Sequence, residues 1–583
     1  MSMQKSIFAQ GVKYLWQLPV DDKKKVLAIA SSFNIAIPLS QVLVNRGFEN
    51  KEEITSYLFS SFEKDVAHPT LLKDAQKAVD RILHAIKHKE KILIFGDYDV
   101  DGITSTSLML SCLIPLGAEI NYYLPHRQKE GYGLSTAVVN RAADSNYKVI
   151  ITVDNGTTAF EQALQAKKRN IDLIITDHHK PHEHLPEAFA LVNPHQKECE
   201  YPFKGFAGVG VTFKILSLLY EQLGMPMPEK AYELLLLGTI ADVVPLVGEN
   251  RFWVRHGLQW LDKKETISFS VLKNNAKVTK EKLSATDIGF KIAPQINALG
   301  RLSDSRQGVK FLLGADQKET EAIGSILADL NESRKLIERT IFEEVTSCIA
   351  QGSINLEKEL VIMAGSKEWS PGVIGLVASR LVSTYGKPVF LFHMTAQGKA
   401  KGSCRSIKGL NLFDALTAHK HLLDQFGGHA MAAGLALDQS KLAMLKEGLE
   451  SYVAQHSTPE DLKQKIVCDA VIELPEVTKK LMNDLELFEP FGAENPQPLF
   501  LLKNVCLAQD PQLLKGEHVK CLVVDQGIVK PLIFFNRPDV YQALLKLEDR
   551  AFCAAVTVTE NEWQGRSNVE LLGVDIMIES MEA

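Results

Sequence analysis

The sequence predicts an α/β protein: two α/β lobes joined by a long helix, with a small β-barrel at the C-terminal end. Three observations predict it. Short β-branched runs alternate with helical stretches before residue 300 and again after residue 360, the pattern of βαβ units around a parallel sheet. Leu312 to about Gln351 carries Ile323, Ile326, Leu327, Leu330, Ile337, Ile341, Val345 and Ile349 at near-heptad spacing among many charges, which suits one connecting helix. The remainder, after the polar stretch His456–Asp461, holds several short apolar or alternating runs separated by turn residues, which suits a small barrel of the OB type.

At 583 residues the chain has room for three or four domains of roughly 150 residues each. The expected boundaries are an N-terminal, mostly helical segment (1–60), a first lobe (61–310), a connecting helix (311–352), a second lobe (353–455) and the barrel (460–583). With 45% hydrophobic and 23% charged residues, the composition is that of an ordinary globular protein. No apolar run approaches the roughly 20 residues that span a bilayer. The N-terminus lacks the apolar core and cleavage site of a signal peptide, so no membrane is expected. Eight Cys lie scattered without a C-x-x-C pair, which argues against a zinc knuckle or a disulfide framework and suits a reducing cytoplasm. With a net charge of −6, any polyanionic partner must meet positive charge concentrated in a groove. No Gly-x-x-x-x-Gly-Lys-Ser/Thr is present, which removes the P-loop ATPases.

Taken in order, Leu71–His88 has helical spacing and leads into an apolar strand, Ile92–Phe95, that ends in Gly96. Asp97, Asp99 and Asp101 follow at alternate positions, then Gly102 and the opening of a helix. Ile120–Leu124, Val149–Val153, Leu173–Thr176 and Ala190–Asn193 read as further strands. Two of them run straight into Asp154-Asn-Gly156 and Asp177-His178-His179, and an apolar stretch, Tyr232–Ile240, runs into Asp242. Ala293–Asp304 contains Gly300 before Arg301 and reads as an exposed, specifically shaped loop. Beyond the connecting helix, Leu360–Met363 and Pro388–Phe392 are strands, and Ser370–Gly375 opens a helix. Gly402–Ser406 and Phe426–Gly434 are polar Gly-rich stretches whose small residues would let backbone N–H groups approach an anion, with Arg405 supplying a bidentate fork; a pair of tight turns with one solvated Arg is the plain alternative. In the barrel region Phe534, Phe535 and Trp563 are candidates for stacking on bases, or simply core.

Each acidic turn taken alone has a plain explanation, because Asp and Asn favour turns. Four in one lobe, three of them at strand ends, are harder to explain that way, because open α/β sheets place their sites at the carboxyl edge of the strands. Packed carboxylates repel, and a divalent cation is the usual remedy. The turn at 97–102 matches the opening of an EF-hand, but that loop needs a Glu where this chain has Leu108.

With these residues assembled, the chain resembles the DHH phosphoesterase superfamily and, within it, the bacterial RecJ exonuclease family. The resemblance rests on the Asp-Tyr-Asp-x-Asp-Gly, Asp-Asn-Gly and Asp-His-His turns, Ala-Gly-Val-Gly-Val at 207–211, Ile-Ala-Asp-Val-Val-Pro, Asn-Ala-x-Gly-Arg, and Gly-Gly-His-x-x-Ala-Ala-Gly, all in order. It implies a DHH domain, a linking helix, a DHHA1 domain and an OB-fold domain. It implies a metal site of Asp97, Asp99, Asp101, Asp154, His178 and Asp242, with His179 beside them. Asp99, Asp101, Asp154, His178 and His179 would carry catalysis. Carboxylates with one or two imidazoles suit two Mn²⁺ or Mg²⁺ ions better than Zn²⁺. The resemblance further implies a 5′-phosphate pocket of Arg127, Arg301, Ser403, Arg405 and His429, and hence a 5′→3′ exonuclease releasing mononucleotides from single-stranded DNA in repair and recombination. A single-strand-binding protein and a helicase are candidate partners, and a monomer is expected. Cys404 departs from the family pattern, which has Gly there. The neighbouring function is a DHH-type phosphodiesterase acting on short oligonucleotides or cyclic dinucleotides; a non-catalytic single-strand-binding scaffold is the alternative from another class.

Overall fold

The computed structural model describes residues 7–126, 130–280, 282–458, 460–547, 550–563 and 566–578. They form two compact units, one of residues 55–334 with 489–496, the other of residues 1–54, 335–488 and 497–583.

The first unit is built on a five-stranded parallel sheet. Its strands are β3 (Lys91–Gly96), β4 (Ile120–Tyr123), β5 (Tyr147–Val153), β6 (Asp172–Thr176) and β7 (Ala190–Val192), in the order β4-β3-β5-β6-β7. (The labels β1 and β2 belong to Phe8–Gln10 and Leu15–Gln17, in the other unit.) The central strands are apolar along nearly their whole length because both faces are covered, as parallel sheets require. The helices Ala75–Lys87, Val100–Leu113, Gly208–Gln222 and Lys230–Ala241 contribute to one core, and Thr136–Asp144 with Phe160–Lys168 to the other. The register pairs Gly96 with Val153, Val153 with Thr176, and Thr176 with Val192. The carboxyl ends are therefore flush, and Asp97, Asp154 and Asp177 leave the sheet side by side.

Two expectations are corrected here. Ala293–Leu302 is a helix, not a loop; Pro294 sits in its first turn, where a proline costs nothing, and a π-helical turn, Ile288–Ile292, leads into it. The connecting helix also starts later than its apolar spacing suggests. Arg306–Leu313 is a separate helix that stops at Gly314 in the left-handed region (φ 60°), and the 34-residue helix Gln317–Ala350 follows.

In the second unit, β8 (Ile362–Ser366), β9 (Val389–Met394), β10 (Lys399–Arg405), β11 (Leu423–Gly428) and β12 (Ala432–Asp438) form a sheet in the order β11-β12-β10-β9-β8. Of the two Gly-rich stretches, residues 402–405 lie in β10, and residues 426–434 form a hairpin: the end of β11, a turn at 429–431 and the start of β12; β10 pairs with β12, Arg405 opposite Ala432. Glycine is needed there for packing, since a Cβ on Gly402 would lie 2.5 Å from the Phe392 ring.

After β13 (Lys465–Val467), the C-terminal strands are β14 (Ala470–Ile472), β15 (Phe500–Leu507), β16 (Gln512–Leu514), β17 (His518–Asp525), β18 (Ile528–Phe534), β19 (Phe552–Trp563) and β20 (Arg566–Met577). They run in the order β14-β15-β19-β20-β18-β17-β16, and an additional β15–β17 pairing closes five of them into a ring, the OB-like barrel. The N-terminal hairpin β1–β2 is tied to that barrel. Fully buried Asp575 accepts hydrogen bonds from Trp16 Nε1 (2.9 Å), Tyr14 N (3.0 Å) and Lys13 N (3.2 Å), and pairs with Arg537 (2.7 Å). Among the described residues, no single helix is long and apolar enough to cross a membrane.

Candidate metal centre

The site forms where the flush strand ends of the first unit meet the N-termini of two helices and the C-terminus of a third. Asp99 caps the helix Val100–Leu113, its Oδ1 accepting from Gly102 N at 3.1 Å, so Asp101 falls in the first turn facing inward. Asp101 is 1% exposed, and its two oxygens accept from Gly208 N (2.6 Å) and Val209 N (2.8 Å) at the start of the helix Gly208–Gln222. The positive end of that helix dipole meets the carboxylate. Asp154 adopts a left-handed backbone (φ 62°), which Asp and Asn tolerate better than most residues. Asn155 holds the turn by donating to Val153 O (2.9 Å) and Phe95 O (3.3 Å). A Cβ at Gly208 would lie 2.6 Å from the Asp154 Cβ, so the glycine lets the helix approach. Asp242 sits at the C-cap of the helix Lys230–Ala241.

These groups converge. Nε2 of His178 lies 3.2 Å from Asp154 Oδ1, 3.5 Å from Asp242 Oδ2 and 3.8 Å from Asp101 Oδ2. Ligand atoms of Asp97, Asp99 and Asp154 lie within 4.8 Å of one another, as do those of Asp101, His178 and Asp242, and those of Asp154, His178 and His179. The first two triads meet across the 3.2 Å Asp154–His178 approach.

The electrostatics are those of a site built for added positive charge. Burial and the neighbouring Asp99 push the Asp101 carboxyl up to about 7. Burial, then Asp101 and the other carboxylates, hold Asp154 and Asp242 well above the ordinary range. Burial, then His179, lowers His178 to about 4, so its imidazole is neutral at pH 7, the form that ligates a metal. His178 Nε2 is buried and, among the described residues, has no hydrogen-bond partner. A buried, lone nitrogen facing three carboxylate oxygens is what a divalent cation completes, and an oxygen-rich set with one imidazole fits Mn²⁺ or Mg²⁺.

Sequence reasoning missed the supports. Asp177 accepts from Thr157 N (2.9 Å), His178 N (2.8 Å), His179 N (3.2 Å) and His179 Nδ1 (2.8 Å), fixing both histidines. Burial opposes charge on His179, but the Asp177 bond prevails and raises it to about 9; despite burial of Asp177, the same bond lowers its carboxyl to about 2. Asn193 Nδ2 donates to the His179 carbonyl at 2.8 Å, and the Tyr132 hydroxyl lies 3.4 Å from His179 Nδ1. The strand-end position of Asp177, directly before the two histidines it holds, was the visible signal; Thr157 and Asn193 come from other elements and left none.

Of the expected phosphate-binding residues, Arg127 lies outside the described residues. Arg301 is in the first unit, near the C-terminal end of the helix Ala293–Leu302. Ser403, Arg405 and His429 belong to the second. There Arg405 Nη1 donates to Ser403 Oγ (3.2 Å) and its Nε to Ser379 Oγ (3.1 Å), beside the start of the helix Ile374–Tyr385. His429 is exposed. Cys404 points the other way, its thiol buried in the core with Sγ 3.1 Å from Ala433 O, as strand alternation dictates. The departure from Gly therefore leaves the Ser403–Arg405 face intact. In the barrel Phe534 is core, Phe535 is 58% exposed, and the Trp563 side chain lies outside the described residues.

The fold and centre define a DHH-type phosphoesterase architecture, and comparison with known proteins agrees. The DHH family, N-terminal domain, matches residues 91–239; the DHHA1 domain matches 357–455, and the RecJ OB domain 468–575. The single-stranded-DNA-specific exonuclease RecJ of Bacillus subtilis is 33% identical over 568 residues, covering 97% of this chain and 71% of the relative. That of Haemophilus influenzae is 32% identical over 569 residues, covering 94% and 98%. The crystal structure of RecJ from Thermus thermophilus in complex with Mn²⁺ superposes with a TM-score of 0.82 at 26% identity, covering 97% of this chain and 80% of that one. Its Mg²⁺ complex gives 0.75, covering 97% and 78%. The chain belongs to the RecJ family of single-stranded-DNA-specific exonucleases.

Proposed function

We infer that this chain is a metal-dependent 5′→3′ exonuclease that hydrolyses single-stranded DNA to 5′-mononucleotides, in DNA repair and recombination. The observation that carries the reading is the convergence of Asp97, Asp99, Asp101, Asp154, Asp242 and His178 on one sheet edge, with the buried His178 Nε2 left for a cation. Asp97, Asp99 and Asp154 would hold one Mn²⁺ or Mg²⁺ ion; Asp101, His178 and Asp242 would hold a second, with Asp154 shared. When bound, such a pair lowers the pKa of a water to make the nucleophile and stabilises the charge of an in-line displacement at phosphorus. The protein's own groups prepare the site. The helix N-terminus at Gly208–Val209 aims the Asp101 carboxylate. Asp177 orients His179 through its Nδ1, fixing the imidazole beside the metal ligands.

Direction of attack follows from an anchor for the terminal 5′-phosphate. Ser403 and Arg405 offer a hydroxyl and a guanidinium fork at the opening of a helix, a setting that suits a phosphate. His429, Arg127 and Arg301 take the same role on the family pattern. The OB-like barrel adds affinity for long strands by stacking and phosphate contacts. The enzyme acts as a cytoplasmic monomer on strands supplied by a helicase and a single-strand-binding protein.

The test is hydrolysis of end-labelled single strands and duplexes with Mn²⁺, Mg²⁺ or EDTA. The expected result is metal-dependent release of labelled mononucleotide from 5′-phosphorylated single strands, with duplexes and EDTA samples inert. Preference for a dinucleotide over a long strand would instead support the short-oligonucleotide phosphodiesterase. Arg405→Ala is expected to erase the preference for 5′-phosphate over 5′-hydroxyl ends.

A further inference from the structure

A glycine in a helix interior is unfavourable relative to alanine, so it needs a packing reason. Gly300 lies inside the helix Ala293–Leu302 and has one. A Cβ built there would lie 2.5 Å from the carbonyl oxygen of Tyr98 and 3.5 Å from its carbon. Tyr98 is the middle of the turn Asp97-Tyr98-Asp99. From the other side, a Cβ on Gly102 would lie 2.5 Å from both the N and the O of Asp97. The acidic turn is thus gripped between two bare Cα atoms.

The helix cannot retreat to make room. Ile296, Ala298 and Leu299 are fully buried, and Gln295 Nε2 donates to Leu272 O at 2.9 Å. Leu299 also packs on the following helix, its Cδ1 3.3 Å from the Cβ position of Gly308. Any side chain at 300 must therefore push the turn, and the two carboxylates flanking Tyr98 would move with it.

We propose that Gly300 is a positioning residue: by seating its helix on the Tyr98 carbonyl it fixes Asp97 and Asp99 in the arrangement a divalent cation needs, and it mechanically couples the helix bearing Arg301 to the metal ligands. The inference rests on the metal reading above but assigns a role to a residue that touches neither metal nor substrate. Only a glycine allows this approach, whereas helix propensity alone would favour alanine. The two explanations therefore predict opposite consequences for Gly300→Ala.

The experiment is titration of metal-free protein with Mn²⁺, followed by the electron paramagnetic resonance of free Mn²⁺, for wild type, Gly300→Ala and Gly300→Ser. Both variants carry the same Cβ but differ in helix propensity. Both are expected to bind Mn²⁺ at least about tenfold more weakly, the scale of lost outer-sphere support. Far-UV circular dichroism should stay native, and turnover should recover toward wild type at high Mn²⁺. Folded variants with wild-type Mn²⁺ affinity would overturn the proposal. If wild type itself bound no Mn²⁺, the metal reading would fall, and this inference with it. Should neither variant fold, hydrogen exchange on wild type decides: Mn²⁺ must protect amides of residues 296–302 together with those of 97–102, and protection confined to the turn counts against the coupling.

Discussion

Asp575 and Asp101 are equally hidden from water, at 0% and 1% exposure, yet their surroundings are opposite. Asp575 receives three N–H donors from the N-terminal hairpin and a guanidinium from Arg537, which itself also pairs with Asp539. Asp101 has two backbone donors, and around it stand Asp99, Asp154, Asp242 and a neutral His178. A buried carboxylate is tolerated when paired and hydrogen-bonded, and costly otherwise. The barrel centre is complete as it stands and ties the N-terminus to the C-terminal sheet. The sheet-edge centre is incomplete without cations, and that incompleteness marks it as the functional one.

Removing an acid should therefore have opposite effects in the two places. The largest contrast is expected from Asp154→Asn. It should cut hydrolysis on the order of 10⁴-fold, the scale of losing a catalytic group, while the melting temperature in EDTA holds or rises because repulsion is relieved. A variant that stays active, or unfolds, would break the comparison. Asp575→Asn should do the reverse, lowering unfolding free energy by about 3–5 kcal/mol in urea, as for other broken buried pairs, with the folded fraction still hydrolysing short strands.

A pH titration sharpens the contrast. The Asp101 carboxyl stands at about 7 in the folded chain against about 4 unfolded, so between those values the folded state binds the extra proton. Through this group, the metal-free protein loses stability as pH rises from about 4 to about 7, and Asp154 and Asp242 act in the same sense. His178, lowered to about 4, opposes them between about 4 and 6.5. Mn²⁺ must displace the protons that burial and mutual repulsion hold on Asp101, Asp154 and Asp242, so its affinity should climb with pH by at least about tenfold per unit below 7. Calorimetry at several pH values measures this. The smallest effect is expected outside both centres. Phe535→Ala should weaken binding of long single strands by about 1 kcal/mol, the lower end for one stacked base, with turnover of short ones unchanged in a filter-binding and rate comparison.

The sheet and its acidic edge were legible because three of its five strands, β3, β5 and β6, are apolar runs followed by Asp, and the flush register then follows from parallel pairing. His178 was legible as part of a rare triplet. What stayed hidden depends on tertiary contact. Gly300 before Arg301 looked like a loop because a helix tolerates glycine only where something presses against it, here the Tyr98 carbonyl. Gly402 looked like part of an anion-binding stretch, but it makes room for the Phe392 ring within paired strands. Cys404 looked like a disturbance of the phosphate-binding face, and strand alternation turns it inward. Thr157, Asn193 and the Gly208–Val209 amides act on the site across long sequence separations, which no local pattern encodes.

The most direct measurement is low-temperature electron paramagnetic resonance of the wild-type protein loaded with Mn²⁺, beside Asp154→Asn. The account predicts two ions per chain with an exchange-coupled spectrum in the wild type, and loss of that coupling in the variant. Isolated, uncoupled Mn²⁺ in the wild type, or a coupled pair that survives loss of the Asp154 carboxylate, would contradict it.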